Sequence, residues 1–218
     1  TDPSGLKPWT PIGKDADGKQ FTGTFDGNNK TISGLYFNDS SKDNVGLFGC
    51  VGANGTVKDV NVTDSYVSGN QYAGGICGTN ESGTLQNCHY TGKVSGKNFV
   101  GGVCGNNNLS STLKECYNEG TVEGTGDNVG GVCGWNGNTL EKSYNTGTVT
   151  GKGDYVGGVC GYNYDSSTLK ECYNTGTVSG NKYVGGVCGY NRKIVKGCYN
   201  TGKVTGTNTS NVGAVCGA

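Results

Sequence analysis

Apolar residues in this chain fall in short, regularly repeated phrases. Val-Gly-Gly-Val-Cys-Gly stands at 100–105, 129–134, 156–161 and 184–189, with variants at 73–78 and 212–217. Between these lies a phrase of the type Leu-Lys-Glu-Cys-Tyr-Asn, at 113–118, 140–145, 169–174 and 195–200, followed by a Gly and then Val-x-Gly. The first phrase sets the period: Cys77, Cys104, Cys133, Cys160, Cys188 and Cys216 are 27, 29, 27, 28 and 28 residues apart. Gly interrupts the apolar runs too often for helices, since each Gly inside a helix costs about 1 kcal/mol relative to Ala. The Val, Thr and Tyr of those runs favour strands. The pattern predicts three short strands per repeat, in one copy at 169–174, 177–179 and 183–188. A propeller blade would need roughly 40 residues and longer strands.

The expected fold is therefore all-β: a parallel β-solenoid, or β-helix, of right-handed type, with about seven coils of ~28 residues headed by Thr31, Thr56, Thr84, Thr112, Thr139, Thr168 and Ile194. Residues 1–30 differ in kind and read as an N-terminal cap or lead-in, with Trp9, Ile12, Phe21 and Phe25 covering the first coil; residues 31–218 are the repeats. Stacked coils lie about 4.8 Å apart, which makes a rod on the order of 34 Å. Gly147, Gly176 and Gly202, and likewise Gly151, Gly180 and Gly206, then mark corners that need φ > 0 or close backbone approach. Asn80, Asn107, Asn136, Asn163 and Asn191 form a structural ladder at another corner. Val184, Val187 and Cys188 cannot all face inward under strict alternation, so a bend at the Gly-Gly step is expected to absorb the shift.

Composition narrows the function. Gly is 43 of 218 residues, but without the every-third-residue spacing of collagen and in fixed places beside Val, Tyr and Cys, which argues against disorder. Lys+Arg and Asp+Glu are 17 each, which gives no electrostatic case for nucleic acid or an acidic membrane surface. No stretch approaches 18 apolar residues, so no membrane span is expected in this segment. The last repeat Cys is followed only by Gly217 and Ala218, with no capping sequence. The expectation is that further domains of the same polypeptide follow Ala218, or that this end meets another subunit.

These phrases resemble the GLUG-motif repeats of bacterial surface proteins. Gly46-Leu47-Phe48-Gly49 fits the Gly-Leu-hydrophobic-Gly pattern fully. Later copies depart from it, as in Gly102-Val103-Cys104-Gly105, and the last begins with Ala214. The stretches 9–13, 21–27 and 30–35 are similar to the lead-in of such proteins. Repeats of this kind occur in large exported or wall-attached bacterial proteins, adhesin-like ones among them, and flank the catalytic part of some immunoglobulin-cleaving metallopeptidases. The resemblance implies an extracellular or cell-surface location. It implies a non-catalytic structural or adhesive module whose partner is a glycan or a host or surface protein. The alternative is an accessory carbohydrate- or protein-binding region of a larger extracellular enzyme. The motif itself brings no catalytic residues.

The residues agree with a chain that is no enzyme and holds no cofactor. His89 is the sole His, so a His-Glu-x-x-His zinc site is impossible, and it stands where other coils have Tyr117, Tyr144, Tyr173 and Tyr199. The acids Glu115, Glu171, Asp127, Asp154 and Asp165 are scattered over turns and surface, and Asp26-Gly-Asn28 reads as a tight turn. Thr121, Thr148 and Thr177 align, yet the paired Thr rows of an ice-binding face are lacking.

Ten of the eleven Cys fall in two columns: Phe48 followed by Cys77, Cys104, Cys133, Cys160, Cys188 and Cys216, and a second reading Leu35, Val60, Cys88, Cys116, Ser143, Cys172, Cys198. Phe, Leu and Val substitute in these columns, so the Cys act as small buried hydrophobes with free thiols. Pairs across a coil, such as Cys104–Cys116 or Cys160–Cys172, are the alternative. No C-x-x-C occurs and no metal site is expected. Trp135, Tyr162 and Tyr190 share a column and form the candidate contact stripe, where outward rings could stack on a sugar or a partner.

Overall fold

The computed structural model describes residues 8–16, 18–208 and 211–218; residues 1–7 and 17 of the expected cap lie outside this set. Every element among the described residues is a strand, and every pairing is parallel, from each coil to the next. The strands form three sheets, one of sixteen strands and two of six. In the coil headed by Thr168, the strands Thr168–Lys170, Tyr173–Asn174 and Val178–Gly180 lie in the large sheet. Val184–Gly185 lies in the second sheet and Cys188–Asn191 in the third.

The expected strands need two corrections. The stretch 183–188 is not one strand, because the chain turns at Gly186-Val187 from the second sheet to the third. That turn is the bend the alternation required, and Val184, Val187 and Cys188 are all fully buried as a result. The stretch 169–174 is broken at Glu171, which has φ of 55°. The coils headed by Thr56 and Thr84 instead run through the same corner as single 13-residue strands, Thr56–Ser68 and Thr84–Gly96.

The left-handed backbone positions are not the glycine columns. They are Asp59, Asn87, Glu115, Lys142 and Glu171, with φ from 49° to 55°, and Gly197 after them. A second such row is Asn44, Tyr72, Phe99, Asn128, Tyr155, Tyr183 and Asn211. A non-Gly residue in this conformation costs roughly 1–2 kcal/mol. What offsets the cost is phase: one left-handed residue shifts the alternation, so that Leu113 and Cys116, three apart, both point inward and both are fully buried. The backbone bond is kept as well, since Glu115 N–H donates to Glu141 O at 3.1 Å and Glu171 N–H to Lys196 O at 2.8 Å. The glycine columns serve close approach instead: a Cβ on Gly147 would strike the carbonyl oxygen of Gly120 in the coil before.

The first coil departs from the expected register. Strand Thr24–Ser33 pairs Thr24 with Thr56 and Lys30 with Val60, so the coil begins at Thr24 and not at Thr31. The place assigned to Leu35 in the second Cys column is held by Lys30. The cause is an irregularity between Asp26 and Lys30, where Asn28 and Asn29 are left-handed and loop out. Phe48 does pair with Cys77 as expected. Ile12 and Phe21 bridge to Phe48 and Val51, and the rings of Phe21 and Phe25 lie 5.0 and 5.4 Å from that of Phe48. Trp9 donates its indole N–H to Leu47 O at 3.1 Å but stays 36% exposed. At the other end, Ile194, Tyr199 and Val212 are exposed.

Candidate functional site

The thiols fill the interior. Cys77, Cys104, Cys133, Cys160, Cys188 and Cys216 are paired in register from coil to coil. All eleven Cys are free; neither Cys104–Cys116 nor Cys160–Cys172 is bridged. At two places in the second column the side chain receives a backbone N–H from the coil before: Cys116 N–H donates to Ser143 Oγ at 3.0 Å and Cys172 N–H to Cys198 Sγ at 3.4 Å. Serine can replace cysteine there because either atom accepts that bond. Burial pushes the thiols of Cys77, Cys133 and Cys160 well above their ordinary value, and those of Cys50 and Cys216 up to about 12.

A pH dependence follows. The unfolded chain loses these protons near pH 9, while the folded chain keeps them to about 12 at Cys50 and Cys216. Between those limits the folded state binds more protons at these thiols, so their contribution to stability is complete below about pH 9 and is lost as pH rises. Cys198, lowered to about 7 by its bond with Cys172, acts in the opposite sense between about pH 7 and 9. Denaturant midpoints measured from pH 7 to 11 should drop from about pH 9 upward, and the drop should shrink in Cys133→Ala. A flat profile would contradict the buried-thiol assignment.

Two amide ladders run through the core. The expected one is present: Asn80, Asn107, Asn136 and Asn163 each donate Nδ2–H to Oδ1 of the next Asn, at 3.0, 2.8, 2.8 and 2.8 Å, ending at Asn191. The second was missed. Asn118, Asn145 and Asn174 donate in the same sense, each at 2.7 Å, ending at Asn200. Its signal lay in the repeated Cys/Ser-Tyr-Asn phrase, where Asn never varies after Tyr in four copies. Tyr90 takes this place one coil earlier, with its hydroxyl bonded to Lys93 O and its ionisation disfavoured by burial.

The aromatic stripe is only half a ladder. Trp135, Tyr162 and Tyr190 are in register, and Tyr162 and Tyr190 stack at 5.2 Å. Trp135 instead lies over Gly137 and beside Tyr164, 5.3 Å between centroids. Tyr155 and Tyr183 stack at 5.1 Å and meet the Tyr162/Tyr190 pair edge-on. On the large sheet His89, Tyr117, Tyr144, Tyr173 and Tyr199 stack in one column, at 4.3, 4.8, 4.7 and 5.1 Å. Neighbouring rings therefore cover most of one another's faces, and what these columns offer outward is edges and hydroxyls. His89 Nε2 sits 3.4 Å from Glu119 Oε2 without hydrogen-bonding geometry, and burial lowers its pKa.

The acids stay dispersed. Asp26 accepts from Asn28 N–H and pairs with Lys58, as a tight turn does. Asp127 accepts from Asp154 N–H, Asp165 pairs with Arg192, and Glu171 with Lys170. One cluster was not foreseen: the ligating atoms of Asp15, Cys50 and Glu81 lie within 4.8 Å of one another. Burial, with those two carboxylates, pushes the Cys50 thiol up to about 12.

Comparison with known proteins agrees with this architecture. A family model, the GLUG motif, matches residues 69–95, 153–179 and 180–205. Halomucin from Haloquadratum walsbyi is 38% identical over 84 residues, 38% of this chain but 1% of that protein. A protein named as a candidate Gly-rich membrane protein, from Evansella cellulosilytica, is 37% identical over 60 residues, 28% of this chain and 7% of that protein. The chain thus spans only a small part of these relatives. In fold it is similar to a crystal structure, at 1.30 Å resolution, of a candidate immunoglobulin A1 protease from Bacteroides ovatus. The TM-score is 0.72 at 21% identity, over 97% of this chain and 74% of that one. The chain is a parallel β-solenoid that carries GLUG-motif repeats over residues 69–95 and 153–205.

Proposed function

We propose that this solenoid is a non-catalytic structural and adhesive module of an extracellular or cell-surface protein, a stiff rod that holds a binding surface or a neighbouring domain at a fixed distance. The observation that supports it most is the continuity of the core. Leu85, Leu113, Leu140 and Leu169, like the thiols and amides beside them, are fully buried against their equivalents in adjoining coils. Such a stack makes length a modular quantity, because each coil contacts only its neighbours. The much greater length of the relatives fits a segment within a long exported chain.

The test is to remove one coil in phase. Deleting residues 139–167 joins Asn138 to Thr168, which replaces Thr139 at the same register position. The product should stay folded, keep a strand-dominated circular-dichroism spectrum and be shorter by about 4.8 Å in solution scattering. Loss of folding would refute the modular rod.

A further inference from the structure

Between segment 9–15 and loop 37–45 lies an open cleft of ≈ 440 Å³, within the roughly 300–1,000 Å³ usual for small-ligand sites. Trp9 forms part of its wall and is held rigidly, by its indole N–H on Leu47 O at 3.1 Å and its backbone N–H on Tyr36 O at 2.7 Å. Phe37 adds a second apolar surface. Around these rings stand three carboxylates, Asp15, Asp39 and Asp43, and two ammonium groups, Lys14 and Lys42. Two of the carboxylates are fixed through one oxygen only. Asp39 Oδ1 accepts from Ser41 N–H and Oγ–H, and Asp43 Oδ1 from Asn70 Nδ2–H and Gln71 N–H. Oδ2 of each takes no bond from the described residues, and neither Lys14 nor Lys42 forms an ion pair with them.

This set selects for one kind of chemistry. A hydroxyl group both donates and accepts, so it can use free carboxylate oxygens and ammonium hydrogens side by side, whereas a polyanion or polycation meets repulsion from one half of the lining. A fixed indole and a phenyl ring suit the C–H face of a pyranose. Here the indole is not buried under another ring, in contrast to the tyrosine columns. We infer that the cleft is a binding site for a neutral oligosaccharide, with Trp9 as platform and Asp39, Asp43 and Lys42 as hydroxyl partners. This rests on the adhesive half of the function proposed above and gives it a site and a ligand class.

The test uses the whole chain on an array of neutral, sialylated and sulfated glycans. Binding is then followed by tryptophan fluorescence in Trp135→Phe, where Trp9 is the remaining indole. The expected result is saturable binding of neutral glycans that changes Trp9 emission. Affinity should fall at least about tenfold in Trp9→Ala and measurably in Lys42→Ala, both with unaltered circular dichroism. If Trp9→Ala does not fold, Lys42→Ala and the emission change decide. Binding that survives in folded Trp9→Ala overturns the site and leaves an adhesive module that binds elsewhere. Binding of acidic glycans alone overturns the ligand class. No binding to any glycan overturns the site together with glycan adhesion, while the rod is judged separately by the coil deletion.

Discussion

Asn145→Leu should lower the unfolding free energy by about 3 kcal/mol, from one buried carbonyl left without its partner at roughly 1–3 kcal/mol and two amide hydrogen bonds lost at about 1 kcal/mol each. Asn145 accepts from Asn118 and donates both to Asn174 Oδ1, at 2.7 Å, and to Gly147 O, at 2.9 Å. Leucine has a similar volume but supplies none of these bonds, and its tetrahedral Cγ would sit against Gly131, where the amide of Asn145 now lies in close contact. Asn118 keeps Gly120 O and Asn174 keeps Gly176 N–H, so the loss is concentrated at Gly147 O and at the two broken amide contacts. Tyr144→Phe, one residue away and outward-facing, should stay within about 0.5 kcal/mol of the parent. Equilibrium urea unfolding of both variants is the measurement, and equal midpoints would show that the ladder carries no stability.

Gly158→Ala is expected to cost about 3 kcal/mol or more. The added methyl would collide with the carbonyl oxygen of Gly186 in the next coil and with the side chain of Asn174, so backbone and a ladder residue block it together. Overpacking against backbone costs roughly 1–3 kcal/mol even where some relaxation is available. Here the coils on either side are held by bonds such as Gly158 N–H to Gly185 O at 3.1 Å and cannot separate locally without losing them. The damage should concentrate at the contact with the coil headed by Thr168, where hydrogen exchange at Val187 and Cys188 should accelerate first. Gly18→Ala makes a useful contrast. Nothing lies within 4 Å of its Cβ position, and the penalty comes only from φ of 68°. It should cost about 1 kcal/mol. A Gly158→Ala variant as stable as Gly18→Ala would mean that the coils can part at no cost.

Much of this was legible because a solenoid repeats its constraints. Cys104, Cys133 and Cys160 stack since the phrase around them recurs at one period, and the Asn80 ladder follows from the same spacing. Where the repeat fades, alignment by apolar pattern misleads: Ile32 and Leu35 imitate the spacing of Leu113 and Cys116, but the loop at Asn28 and Asn29 moves the register onto Phe25 and Lys30. The left-handed corners were hidden for another reason. Glu115, Lys142 and Glu171 have no special tendency toward that conformation, and it is the inward demand of the flanking Leu and Cys or Ser that imposes it. Stacking geometry was equally out of reach. The column of Trp135, Tyr162 and Tyr190 was readable, but not that Trp135 turns to Tyr164. The cleft beside Trp9 sets segment 9–15, which recurs nowhere else in the chain, against the first coil about 30 residues on, so no period could announce it.

The two asparagine rows point the same way. Every amide gives its hydrogen toward the C-terminal side and presents its oxygen toward the N-terminal side. Sheet backbone dipoles largely cancel, but these side-chain dipoles add, much as peptide dipoles do along a helix. The row begins at Asn80 Oδ1, a buried oxygen that receives no hydrogen bond. A molecule whose formal charges sum to zero therefore has a negative pole and a positive pole, and a charged probe approaching along the axis meets a different potential at each tip.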